Sequence, residues 1–174
     1  KYKITPEELE QAITPQSKLF IFSSPSNPTG CIYSKEELAA LAEVFKRHPH
    51  VFIISDEIYE YINYVGKHES IAQFEELKSR IIIINGLSKG FAMTGYRLGF
   101  IAADPVIIKA CEKLQGQFTS GTCAVTQRAA ITALKSNLDS TDEMVKEFVK
   151  RKQRITEMMC EIPGWKCVEP DGAF

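Results

Sequence analysis

The sequence predicts an α/β fold, a mostly parallel sheet between helices, followed by the start of a small α+β domain. Three observations carry this. Apolar runs rich in Ile and Val recur at residues 18–22, 51–55 and 80–84. Helical-period segments separate them, giving the order βαβαβ. The second half of the chain keeps a helical period almost throughout. Strands this continuously apolar are expected to be buried on both faces, as in parallel sheets.

Taken in order, Thr5-Pro6-Glu7-Glu8 is a capping box with Pro at the first helical position, ahead of Leu9, Ala12 and Ile13. The strand at 18–22 runs into Ser23-Ser24-Pro25-Ser26-Asn27-Pro28-Thr29-Gly30, where two prolines and a glycine forbid regular structure. Ser34-Lys35-Glu36-Glu37 is a second capping box, and Leu38, Leu41, Ala42 and Phe45 form one apolar helical face. After the strand at 51–55, residues 71–77 read as helix leading into the strand at 80–84. Residues 98–102 allow one more strand. Asp104-Pro105 then opens a helix with Val106, Ile107, Ala110 and Leu114 on one face. Helix continues over 126–136 and 141–160, where Met144, Phe148 and Ile155 share a face before Pro163-Gly164. The expected division is 1–139, part of a large domain, and 140–174, a connecting helix with the start of a small domain.

The charge balance, 21 basic against 22 acidic residues, names no nucleic-acid partner. No apolar run approaches the ~18 residues of a membrane span. Five cysteines without a C-x-x-C pair are expected as reduced thiols in a cytoplasmic protein. His48, His50 and His68 lie in loop-like stretches and are expected to be solvated. The chain has no initiator Met, stops within Pro170-Asp171-Gly172-Ala173-Phe174, and reads as a piece of a longer protein.

Asn27, Asp56 and Lys89 each fall just beyond the carboxyl end of a predicted strand. In a parallel sheet those ends share one edge, and ligands of open α/β sheets bind outside it. An amide, a carboxylate and an amine are therefore expected to converge. A carboxylate ending an apolar strand is costly unless paired, so Asp56 invites a cation such as a protonated ring nitrogen. Tyr59, three residues on, shares its face if residues 55–61 turn helically. Arg97 follows Lys89 by eight residues, and its guanidinium suits bidentate binding of phosphate.

Three blocks, in this order, resemble the fold-type I, pyridoxal-phosphate-dependent class-I aminotransferases: Ser26-Asn27-Pro28-Thr29-Gly30, Ser55-Asp56-Glu57-Ile58-Tyr59, and Asn85-Gly86-Leu87-Ser88-Lys89 with Met93-Thr94-Gly95-Tyr96-Arg97-Leu98-Gly99. The likeness is strongest to the prokaryotic aspartate aminotransferase branch. It implies Lys89 as the Schiff-base lysine, Asp56 as partner of the pyridine nitrogen, and Asn27 and Tyr59 as hydrogen-bonders of the ring's 3-oxygen. Arg97, with Ser88 beside the lysine, would hold the phosphate, and Asn27 would also border the substrate. It further implies a homodimer acting on an amino acid and a 2-oxo acid by ping-pong chemistry. Gln117-Phe118-Thr119-Ser120-Gly121 matches a segment near the neighbouring subunit's site, with Gly121 where Asn is common. The family's glycine-containing phosphate turn and ring-stacking aromatic would precede this chain, and its α-carboxylate arginine would follow. The 174 residues alone are thus expected to be inactive.

Two other readings remain open on sequence. Gly86-Leu87-Ser88-Lys89-Gly90 also satisfies the G-x-S-x-G nucleophile elbow of α/β-hydrolases, although an elbow needs a helix directly after it and a histidine downstream. An aminotransferase-like transcription regulator, with a DNA-binding segment upstream, is the second.

Overall fold

Thr5 and Ser34 begin the first two helices as their capping boxes require. Each hydroxyl accepts the backbone N–H of the Glu three residues on, and that Glu accepts the cap's own N–H. In the computed structural model, which describes residues 2–173, helix α1 spans Pro6–Ala12 and α2 spans Lys35–Arg47. Strands β1 (Leu19–Ser23), β2 (Phe52–Asp56) and β3 (Ile81–Gly86) are parallel neighbours. Strand β4 (Gly99–Ala102) adds antiparallel to β3, so the sheet order is β1-β2-β3-β4. Helices α3 (Pro105–Phe118), α4 (Ala124–Lys135) and α5 (Asp139–Cys160) follow. Asp104 caps α3 by accepting the Val106 N–H.

The expected helix at 71–77 is instead two 3-10 segments, Ile71–Gln73 and Glu75–Arg80. Phe74 between them has an extended backbone, φ -87° and ψ 103°, which divides the run into pieces too short for an α-helix. The connection still buries Ile71 and Leu77.

The core lies on one face of the sheet. Alternation sends Phe20, Phe22, Ile53 and Ile81 toward α1 and α2, where Leu9, Leu38, Leu41 and Phe45 are buried. Each such side chain contributes about 1.5–3 kcal/mol on leaving water. Burial on both faces is not what the described residues provide: Leu19, Ile21 and Phe52 point the other way, and Ile21 is 64% exposed. The continuous apolar pattern encodes two buried faces, but α1 and α2 cover only one. Val106 and Leu114 of the expected α3 face are likewise exposed.

Arg80 is a polar residue inside this core. Its guanidinium donates to the carbonyls of Phe45 (2.5 Å), His48 (3.1 Å) and Val51 (2.7 Å), closing the end of α2 and the turn into β2. Burial pulls its pKa below the ordinary guanidinium value. We expect Arg80→Ala to destabilise the protein by about 3 kcal/mol, because buried carbonyls lose their donors. Urea unfolding checks this, and an unchanged midpoint would refute it.

Beyond α5 the chain returns to the first loop. Asp171 and Gly172 both donate to the Gly30 carbonyl at 2.9 Å, and Asn63 bridges Gly172. Gly30 has φ +69°, and a Cβ there would meet Pro170 at 2.3 Å, so only glycine fits.

Candidate active site

The three parallel strands end at one edge, and cross-strand hydrogen bonds fix their ends together. Ser24 N–H donates to the Asp56 carbonyl at 3.1 Å, and Glu57 N–H to the Ile84 carbonyl at 2.9 Å. The loops carrying Asn27, Asp56 and Lys89 therefore leave the sheet side by side. The Asn27 loop contains cis peptide bonds before Pro25 and Pro28.

Two overlapping groups form there. In the first, Asn27 Nδ2 donates to Tyr59 Oη at 3.1 Å, and Lys89 Nζ sits over the Tyr59 ring, 5.5 Å from its centroid. Tyr59 is buried, whereas Asn27 is exposed. In the second, Asp56, Ser88 and Arg97 line a concavity of about 290 Å³ together with Ile58, Ile84 and Asn85. Adjacent residue pairs, Ser88 with Lys89 and Ile58 with Tyr59, join the two groups. Asp56 Oδ1 accepts the Ile58 N–H at 3.1 Å, which leaves capacity on the carboxylate for a ligand. Arg97 is exposed, and its Nη1 donates to the Thr94 carbonyl at 2.9 Å. A larger hollow of about 470 Å³, lined by Phe100, Ile101 and Ile108, shares Ile84, Asn85 and Gly99 with the first.

Tyr59 does not reach Asp56's face by a helix. Residues 58–61 form a turn, and the phenol is directed to Asn27 instead. The hydrolase alternative fares worse. After Ser88 the chain turns, makes a 3-10 segment at Thr94–Tyr96 and enters β4, with no α-helix before Pro105.

All three histidines lie in loops and His50 is exposed as expected, but His48 and above all His68 are partly buried. His68 Nε2 pairs with Glu57 Oε2 at 2.8 Å, and their side chains are 15% and 5% exposed. The other Glu57 oxygen accepts Ser55 Oγ (2.9 Å) and Ser70 Oγ (2.7 Å). His48 contacts Glu10 at 2.8 Å, and His50 contacts the Thr14 carbonyl at 3.1 Å. Glu57 escaped the sequence reading. Its signal was period two: Ser55 and Glu57 share the face opposite Asp56.

The donor set fits a phosphorylated pyridine aldehyde. A carboxylate, a hydroxyl and a guanidinium face one hollow, and an amine lies beside an amide–phenol pair. Among the described residues no group of three or more His, Cys, Asp or Glu could hold a metal ion, and no helix is long and apolar enough to cross a membrane.

The model of the family described as aminotransferase class I and II matches residues 1–174. The chain is 49% identical to aspartate aminotransferase of Geobacillus stearothermophilus, covering 99% of this chain and 44% of that protein. It is 43% identical to aspartate/prephenate aminotransferase of Cereibacter sphaeroides, again over 99% of this chain and 44% of the relative. Among solved structures, aspartate aminotransferase from Rhizobium meliloti superposes with a TM-score of 0.96 at 38% identity, covering 99% of this chain and 44% of that one. Aromatic aminotransferase from Pyrococcus horikoshii gives 0.95 at 36% identity, covering 99% and 47%. The chain thus spans less than half the length of these relatives.

Proposed function

This chain belongs to the class I and II aminotransferase family, and on that premise we propose that the intact protein is a pyridoxal-phosphate-dependent aspartate aminotransferase. The observation that carries it is the grouping of Lys89, Tyr59 and Asn27 beside the hollow lined by Asp56, Ser88 and Arg97. In this reading residues 1–139 belong to the cofactor-binding domain, and 140–174 are the connecting helix and the start of the small domain.

Each side chain has a task set by its chemistry. Asp56 holds a proton on the ring nitrogen by its negative charge. Arg97 and Ser88 hold the phosphate, and Asn27 and Tyr59 hold the ring's 3-oxygen. Pyridoxal phosphate, when bound, supplies the electron sink that lets an amino acid's Cα–H bond ionise. Lys89 Nζ would hold the cofactor through its aldehyde carbon and, as a free amine, would carry a proton between the substrate's Cα and the neighbouring carbon.

We take aspartate as the donor, in line with the names of the relatives at 43–49% identity, and 2-oxoglutarate as the acceptor, which rests on the family resemblance alone. Initial rates in the intact protein should give parallel double-reciprocal lines, since both half-reactions use one site in turn. A full-length protein that exchanged no amino group with any amino acid would sink the proposal. The regulator alternative would then predict binding of the cofactor and DNA. A homodimer is expected because an isologous interface is the commonest symmetric solution; sedimentation of the intact protein tests it. Free cysteines at all five positions support a reducing compartment such as the cytoplasm.

Tyr59→Phe removes the hydroxyl that meets Asn27. The bound cofactor's visible absorption should then change at higher pH, because the phenol favours the ionised 3-oxygen and so the deprotonated form of the lysine linkage. Turnover should fall about tenfold, the worth of ~1.4 kcal/mol. An unmoved titration would count against Tyr59's role.

A further inference from the structure

We propose that Thr141 is a positioning residue for Lys89: its hydroxyl, by donating to the Gly90 carbonyl, fixes the turn that aims the amine and ties α5 to the site. The bond is 2.9 Å long, buried, and joins residues 51 apart in sequence. Thr141 itself is 6% exposed. Thr141 lies in the first turn of α5, where its hydroxyl is directed out of the helix rather than into capping.

The turn it meets is constrained on several sides. A Cβ on Gly90 would lie 2.4 Å from Tyr61 Cδ2, so the backbone after Lys89 presses directly on that ring. Tyr61 in turn packs edge-on against Phe91 at 5.4 Å. Ala92 adopts φ +52°, a left-handed backbone that a residue with a Cβ holds only when its surroundings impose it. The local hydrogen bonds, Ala92 N–H to the Lys89 carbonyl (3.1 Å) and Met93 N–H to the Leu87 carbonyl (3.3 Å), close the turn on itself but do not fix it to the rest of the molecule. Thr141 supplies a polar tether from outside. Without it, a buried carbonyl loses its donor and the turn can rotate to find another.

Further along α5, Met144 and Phe148 pack against the cluster of Tyr59, Ile62 and Ala173. The helix therefore stays docked when the hydroxyl is removed, and valine keeps the volume of threonine. The tether can be tested apart from the packing.

This inference rests on the proposed function, and the experiment separates the two. Full-length Thr141→Val, Thr141→Ala and Thr141→Ser are loaded with pyridoxal phosphate, and the pH midpoint of the visible absorption is measured beside kcat and KM for aspartate. Amide exchange over residues 88–92 is followed in the cofactor-free proteins. With valine we expect the midpoint to move by about half a pH unit, kcat to fall about tenfold with KM changed less than about threefold, and exchange over 88–92 to quicken. Serine, which keeps the hydroxyl, should restore all of these to within about twofold of wild type. Alanine should match valine and serves in its place if the valine variant does not fold. An unmoved midpoint and kcat in the hydroxyl-free variants overturn the inference, as does a serine variant no better than they are. If wild type carries no pyridoxal phosphate at Lys89, it is the proposed function that falls.

Discussion

Lys89→Ala in the intact protein should abolish transamination, a loss of at least about ten-thousandfold, because in the proposed function one side chain would be both the covalent attachment point and the proton carrier. A fall of this size cannot come from misfolding at this position. Lys89 is only half-buried, and its carbonyl, which accepts the Ala92 N–H, is kept by alanine. The amine is what is lost, together with its approach to the Tyr59 ring. Cofactor should still bind, since Asp56, Ser88 and Arg97 remain around the hollow. Borohydride reduction of the wild type followed by peptide mapping should place the pyridoxyl label on Lys89. A label on another lysine, or turnover surviving in the alanine variant, would remove Lys89 from the role.

What the sequence made legible was local. Capping boxes at Thr5 and Ser34 are written within four residues, and both helices start there. The runs at 18–22, 51–55 and 80–84 lie within one or two residues of β1, β2 and β3, and strand ends place polar residues on a shared edge without further information. Residues 71–80 show where locality fails, since an apolar helical period does not say that Phe74 extends and splits the run. Partners distant in sequence were harder still. Nothing near His68 announces Glu57, eleven residues back, and nothing near Gly90 announces Thr141. Arg80 opens the predicted strand at 80–84, yet its three carbonyl partners lie 29 to 35 residues upstream. Such bonds depend on how layers stack, which periodicity does not encode.

Asp56→Asn should keep the fold and lose the chemistry. Asparagine is nearly the same shape, and its side-chain oxygen can still accept the Ile58 N–H that Asp56 Oδ1 accepts at 3.1 Å. The backbone bonds at this position, Ser24 N–H to the Asp56 carbonyl and Glu57 N–H to the Ile84 carbonyl, are indifferent to the change. Only the negative charge disappears. Without it a pyridine nitrogen gives up its proton, the ring withdraws electrons poorly, and removal of the Cα proton should slow by about three powers of ten or more, roughly 4 kcal/mol of barrier. Glu57 cannot compensate from the next position. Strand alternation turns it to the opposite face, and its two oxygens are taken by His68, Ser55 and Ser70. The thermal midpoint and the borohydride label on Lys89 should therefore survive in Asp56→Asn while single-turnover deamination of aspartate collapses. Near-normal turnover in that variant would refute the assignment, and a collapsed thermal midpoint would make Asp56 a structural residue instead.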